Sequence, residues 1–205
     1  MTSRLHETWR DMRTIVFVSP RITMEEWRSG LKSDVDVFAD QLEGWIFEQI
    51  EALVRRPPED AQHAGAVLLT LVSAYFEMIT CYLEGRAPRD GESSSFLRRG
   101  LETVLGADTS QEAIGAYVKE VRNGLAHELV FCTVALHFGQ PRRTQFGLQA
   151  GVLTVDPFWL ATMVRRHFHK YVARLRNPTD DEGGRVLAAF ESFMAVRKRR
   201  GAKSA

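Results

Sequence analysis

The sequence predicts a mostly α-helical protein, a bundle of long helices with a small antiparallel β-hairpin or meander inserted late in the chain. Two observations support this prediction. Apolar residues recur at spacings of three and four over long segments, which is the period of a buried helix face. Between about residues 131 and 155 that period gives way to short, β-branched or alternating stretches separated by glycine and proline, which is typical of a hairpin or meander.

Each helix is predicted from its apolar period and from signals at its ends. Thr23 and Glu26 have the spacing of a capping box. Pro57 ends the first long helix because proline cannot donate to the helical ladder, and Asp156 followed by Pro157 begins a later one. Apart from the short helix after Thr23, the helices are expected at about 33–56, 60–84, 95–105, 111–128, 157–176 and 185–198.

The composition is that of a soluble globular protein. The chain has 205 residues, of which 44% are hydrophobic and 26% charged, enough for one large domain. Its net charge of +1 means that a nucleic-acid partner would need a local basic patch. Cys81 and Cys132 lie in apolar surroundings without CxxC spacing, which favours buried thiols in a reducing compartment. The basic N-terminus lacks the apolar run of a secretory signal, so we expect a cytoplasmic protein.

The most apolar segment, 64–83, has the length of a membrane-spanning helix. It also carries Glu77, and an ionised carboxylate is costly inside a membrane. Its polar side chains step by three and four, so they form one narrow stripe on a helix: Thr70, Ser73, Glu77, Thr80 and Glu84. We therefore predict the core helix of a soluble bundle and no membrane partner.

The helix predicted at 111–128 carries the stretch RNGLAHE near its end. An arginine five positions before a histidine arises easily by chance in a chain this rich in arginine, so the context matters more than the spacing. Arg122 lies at the edge of the apolar stripe, where a guanidinium needs an acceptor, and Glu77 is the nearest candidate. In an α-helix Arg122 and His127 point about 140° apart. A second copy of the chain across a two-fold, or a distortion at Gly124, would help to bring them together.

Asn123 and His127 are four positions apart and share another α-helical face with Glu120. Non-functional interpretations remain open for each of these residues. Arg122 can be a structural ion-pair partner of Glu77, His127 can pack near the helix end, and Asn123 can be solvated.

These residues resemble the motif of the HEPN superfamily (higher eukaryotes and prokaryotes nucleotide-binding). The family signature is an arginine, four to six further residues, then a histidine, often with a polar residue directly after the arginine. Arg122, Asn123 and His127 match it, and Glu77 resembles the acidic or polar residue that many members carry on an earlier helix. Leu129 stands where members paired with a nucleotidyltransferase-type antitoxin often have tyrosine.

The resemblance covers about residues 33–128 and the helix after Asp156, and it implies an up-and-down helical bundle. The expected organisation is an N-terminal extension at 1–30, a HEPN-like domain at 31–198 with the β insert at about 131–155, and a basic tail at 199–205.

The resemblance also implies an activity, which is metal-independent RNA cleavage by a homodimer in the manner of a toxin or defence component. The implied catalytic residues are Arg122, Asn123 and His127, with Glu77 and Glu120 in support and neither cofactor nor metal. An antitoxin or a nucleotidyltransferase-type protein is the implied partner. The alternative that the family offers is a non-catalytic module that binds RNA or a nucleotide.

A weaker candidate lies on the helix predicted at 157–176. Arg166, Lys170 and Arg174 recur every four positions and so share one face. Such a face can contact a phosphate backbone, although a solvated helix surface is the commoner explanation of such a charge pattern.

Overall fold

The computed structural model describes residues 16–55, 58–128, 133–138 and 145–203. The chain divides into two compact units, Met1–Ile46 and Phe47–Ala205. The described part is mostly helical with a small three-stranded sheet, as the sequence predicts. Its elements in chain order are α1 (Met24–Arg28), α2 (Asp34–Leu42), π1 (Glu43–Phe47), α3 (Glu48–Val54), α4 (Pro58–Glu84), α5 (Ser93–Leu105), α6 (Gln111–Ala116), π2 (Tyr117–Glu128), β1 (Val134–Leu136), β2 (Phe146–Gln149), β3 (Val152–Val155), α7 (Pro157–Arg176) and α8 (Asp181–Lys203).

Most predicted helices are found close to their expected bounds, with two differences in type and one in length. The helix expected at 33–56 is observed as α2, π1 and α3, and the helix expected at 111–128 begins as α6 and continues as the π-helix π2. The last helix continues to Lys203, so most of the predicted basic tail belongs to α8.

The first unit contains a small apolar cluster and well-formed helix caps. The cluster consists of the buried side chains of Val18, Ile22 and Val37. The predicted capping box is confirmed, because Thr23 Oγ1 accepts a hydrogen bond from the Glu26 amide while the Glu26 carboxylate accepts one from the Thr23 amide. The cap satisfies backbone donors that the short α1 could not pair by itself.

The second unit is built around α4, which contacts α3, α5, α7, α8 and π2. The inner face of α4 is fully buried, and its apolar side chains include Leu68, Leu69, Val72, Phe76 and Ile79. Within the described residues, Ala64–Glu84 is a helix long and apolar enough to cross a membrane, a test that the core helix of a soluble protein also meets. In its most apolar window 56% of the helix is buried inside the protein, which is consistent with a soluble core helix.

The β insert differs from the predicted antiparallel arrangement. β2 and β3 form the expected antiparallel hairpin, joined by Ala150 and Gly151, both at positive φ. β1, however, pairs with β3 in parallel, so the strand order is β1-β3-β2. β3 is the central strand because it pairs with both β1 and β2. It is also the most buried of the three, with Leu153 and Val155 among its buried residues. Alternating residues specify the two faces of a strand, not the edge on which a neighbour pairs, so the sequence pattern did not indicate the parallel pair.

Candidate functional site

Glu77, Ser93, Arg122 and Asn123 form one hydrogen-bonded cluster, called here the Arg122 network. Arg122 Nη2 donates to Ser93 Oγ at 2.7 Å, and Ser93 Oγ donates to Glu77 Oε2, also at 2.7 Å. Arg122 Nη2 lies 3.9 Å from Glu77 Oε2. Arg122 Nη1 donates to Asn123 Oδ1 at 3.0 Å. The expected pairing of Arg122 with Glu77 is therefore present, with the Ser93 hydroxyl as the bridge between the two charges.

Three elements supply the Arg122 network, and each is held by specific contacts. Glu77 lies on α4, Ser93 is the first residue of α5, and Arg122 lies on π2. The helices α4 and α5 approach closely at Gly100, where an added Cβ would overlap the carbonyl group of Phe76. This contact requires glycine, and it packs α5 closely against α4, the helix that carries Glu77.

Other hydroxyls of the predicted polar stripe on α4 bind its neighbours. Thr80 Oγ1 donates to the Phe96 carbonyl on α5 at 2.8 Å. The hydroxyls of Ser73 and Tyr117 are hydrogen-bonded at 2.8 Å, which ties α4 to π2. Both Ser73 and Thr80 are buried, so their bonds satisfy polar groups that would otherwise be costly in the core. The stripe thus positions π2 and α5 around Glu77.

The π-helix changes the geometry that the sequence predicted for the motif. A π-helix has i→i+5 hydrogen bonds and about 4.4 residues per turn, so positions five apart differ by about 50° instead of about 140°. Positions 122, 123 and 127 then lie within an arc of about 80° on one side of π2. The helix departs from α-helical geometry along the whole of Tyr117–Glu128, which includes Gly124. π-Helical segments are rare and occur frequently at functional sites.

The Arg122 network borders a cavity of about 180 Å³. The Arg122 and Glu77 side chains are 27% and 32% exposed, so both charges are partly shielded from water and still accessible. An arginine in this setting can bind a phosphate and stabilise negative charge that develops on it. Most of the cavity wall is apolar, as Leu97, Val121 and Leu125 show.

Glu120 and His127 differ from the other residues of the predicted site. Glu120 is not brought to the Arg122 network, because the π-helical turn moves it away from positions 123 and 127. Hydrogen bonds from the Thr133 hydroxyl and then from Lys119 lower the pKa of its carboxyl group. His127 belongs to π2 by its backbone, but its side chain lies outside the described residues, as does all of Leu129.

The basic face of α7 is only partly available to a ligand. Arg166 and Lys170 are exposed. Arg174 Nη2 instead lies 2.7 Å from a Glu182 carboxylate oxygen and 3.6 Å from Asp180 Oδ1. The third cation of the predicted surface is thus committed to the start of α8.

Ser93 is the member of the Arg122 network that sequence reasoning missed. It lies in a run of three serines that the sequence placed partly in a loop before the helix expected at 95–105, so no sequence signal singled it out. Cys81 is the buried thiol that the sequence predicted, and burial, followed by the charge of Glu77, raises its pKa to about 11. Cys132 lies outside the described residues. Among the residues that the structure describes, no three His, Cys, Asp or Glu side chains group as metal ligands would.

Comparison of the chain with protein-family models, curated proteins and solved structures finds no match. The HEPN resemblance therefore rests on the motif residues alone and stays a prediction.

Proposed function

We propose that this protein is a metal-independent endoribonuclease of the HEPN type, acting in the cytoplasm as a homodimer. One observation supports the proposal: the motif lies on the π-helical segment π2, in which positions five apart fall on the same side of the helix, and the guanidinium of Arg122 is accessible. In RNA cleavage without a metal, a histidine can transfer the proton and an arginine can stabilise the charge on the phosphate.

The proposed reaction is an internal transfer at one phosphate of the RNA. The 2′-oxygen of the ribose bonds to phosphorus while the bond from phosphorus to the 5′-oxygen of the next nucleotide breaks. The products are a 2′,3′-cyclic phosphate and a free 5′-hydroxyl. His127 takes the proton of the 2′-hydroxyl while water protonates the leaving 5′-oxygen, or it protonates the leaving oxygen while water takes the proton of the 2′-hydroxyl. An imidazole can do either because it exchanges protons near neutral pH.

The Arg122 network gives the remaining residues distinct roles in this proposal. Arg122 binds the phosphate and stabilises its transition-state charge. Ser93 and Glu77 hold the guanidinium through the hydroxyl bridge. The side-chain oxygen of Asn123 accepts a hydrogen bond from the other terminal nitrogen of Arg122, Nη1. The amide N–H groups of Asn123 therefore remain as donors for a phosphate oxygen.

A second candidate function is a non-catalytic module that binds RNA or a nucleotide. The observation that favours it is that both terminal nitrogens of Arg122 already donate to groups of the same chain. On this alternative the Arg122 network is mainly an ion-pair support for the bundle, and its loss would cost stability without any loss of activity.

The test is cleavage of an end-labelled single-stranded RNA by the purified protein in EDTA. The proposal expects cleavage by the wild-type protein and its loss in His127→Ala. His169→Ala, which changes an exposed histidine of α7, is the matched control and should cleave normally. If the wild-type protein leaves RNA intact, or if His127→Ala cleaves as fast as the wild type, the enzyme proposal fails. If the protein acts as a toxin, an antitoxin or nucleotidyltransferase-type partner should suppress the same cleavage.

A further inference from the structure

The cavity beside the Arg122 network has a size and lining that the phosphate chemistry does not use. Its volume is about 180 Å³. An apolar protein cavity of about 150 Å³ holds one benzene molecule. The space therefore matches a single six-membered ring with its substituents more closely than the double ring of a purine.

Apolar side chains from three helices line the cavity. Leu97 is buried on α5, and Val121 and Leu125 are buried on π2. Ala74 lines the cavity from α4 and is exposed, so it lies at the opening. Apolar walls around a planar ring favour its transfer from water.

The polar end of the cavity presents an anion and a cation side by side. Glu77 uses Oε2 to accept from Ser93, so its other carboxylate oxygen is an acceptor for a ligand. Arg122 uses one N–H for Ser93 and one for Asn123, out of five. The site thus offers an acceptor beside donors.

We propose that this cavity binds the cytosine base of the RNA substrate, with its exocyclic amino group donating to Glu77 and its ring acceptors facing Arg122. The inference rests on the proposed function, because it places the base next to the phosphate held by Arg122. Cytosine presents an amino donor where uracil presents a carbonyl acceptor. A uracil at the same place would bring its carbonyl oxygen against the Glu77 carboxylate, so the site selects cytosine among single-ring bases.

The experiment measures binding without cleavage, by calorimetric titration of the protein with cytidine, uridine and guanosine 3′-monophosphates. Cytidine monophosphate should bind about tenfold or more tightly than uridine monophosphate, as expected for one hydrogen bond to a charged group. It should also bind more tightly than guanosine monophosphate. Equal affinities for the three, or a preference for uridine or guanosine, would overturn the inference.

Two variants separate the cavity from general surface binding. Ala74→Leu fills the opening and should weaken cytidine monophosphate binding at least about tenfold, a loss of the order expected for one blocked side-chain contact. Ala195→Leu makes the same change at an exposed site on α8 and should bind as the wild type does. Glu77→Gln, whose amide can also donate, should narrow the preference for cytidine over uridine. Unchanged binding in Ala74→Leu, or an unchanged preference in Glu77→Gln, would contradict the proposed site.

These outcomes are distinct from those that test the nuclease. If the protein binds cytidine monophosphate in the cavity but does not cleave RNA, the proposed base site stands and the nuclease proposal fails. If the protein cleaves RNA equally well after cytosine and uracil, the nuclease proposal stands and the proposed base site fails.

Discussion

Replacing Ser93 by alanine is expected to loosen the Arg122 network, because the hydroxyl bridges two charges that are 3.9 Å apart. Two hydrogen bonds of 2.7 Å are lost, one from Arg122 and one to Glu77. A hydrogen bond to a charged group contributes about 1.5–3 kcal/mol when it is buried. Both charged side chains are about 30% exposed and water replaces part of the loss, so we expect the free energy of unfolding to fall by about 1–2 kcal/mol.

The assay is urea unfolding combined with thermal unfolding of Ser93→Ala and a control. In a domain of this size about 1 kcal/mol corresponds to about 2–4 °C, so the melting temperature should drop by about 2–8 °C. Ser94→Ala changes an exposed serine in the same helical turn and corrects for the higher helix propensity of alanine. Equal stability of the two variants would refute the bridging role of Ser93. So would a double-mutant cycle between Ser93→Ala and Arg122→Ala with coupling below about 0.5 kcal/mol.

Four further predictions concern the scaffold, each read out by urea unfolding. Gly100→Ala should destabilise the protein by about 3 kcal/mol or more, since the new Cβ would overlap a backbone carbonyl of α4. Gly184→Ala, which has open space around the new Cβ, should stabilise the protein by about 0.5–1 kcal/mol. Comparable effects of the two substitutions would disprove the close α4–α5 approach. Asp156→Ala should cost about 1–2 kcal/mol because its carboxylate caps two amides of α7, and no loss would contradict the cap. Burial lowers the pKa of His167 to about 4, below its unfolded value of 6.5, so the unfolded state binds more protons between these values and stability should fall by up to about 3 kcal/mol as the pH drops from 6.5 to 4. His167→Gln should remove most of that slope, and an unchanged slope would exclude His167 as its source.

The sequence predicted the features that depend on residue type and period. Asp156 before proline predicted the start of α7, and the polar stripe of α4 predicted that Glu77 would face Arg122. Both follow from local rules that tertiary contacts did not override, because capping and helix periodicity are satisfied within one or two turns.

Three features lay beyond those rules. No residue pattern distinguishes i→i+5 from i→i+4 hydrogen bonding, so the π-helical register around Arg122 was not predictable and an α-helical angle was assumed. Three consecutive serines begin α5, and only the packing of α5 on α4 decides that Ser93 is the one that reaches Glu77. The parallel pairing of β1 with β3 depends on which strand is buried at the centre, a property of the packed fold.

The most direct test of the account compares RNA cleavage in EDTA by the wild-type protein and by Arg122→Ala, at a temperature where melting curves show both to be folded. If Arg122 stabilises charge on the phosphate, the cleavage rate should fall by about 100-fold or more, the usual effect of removing one such donor. A structural role alone would lower the melting temperature and leave the rate per folded molecule unchanged. Cleavage by folded Arg122→Ala at the wild-type rate would contradict the central claim that Arg122 acts on the RNA phosphate.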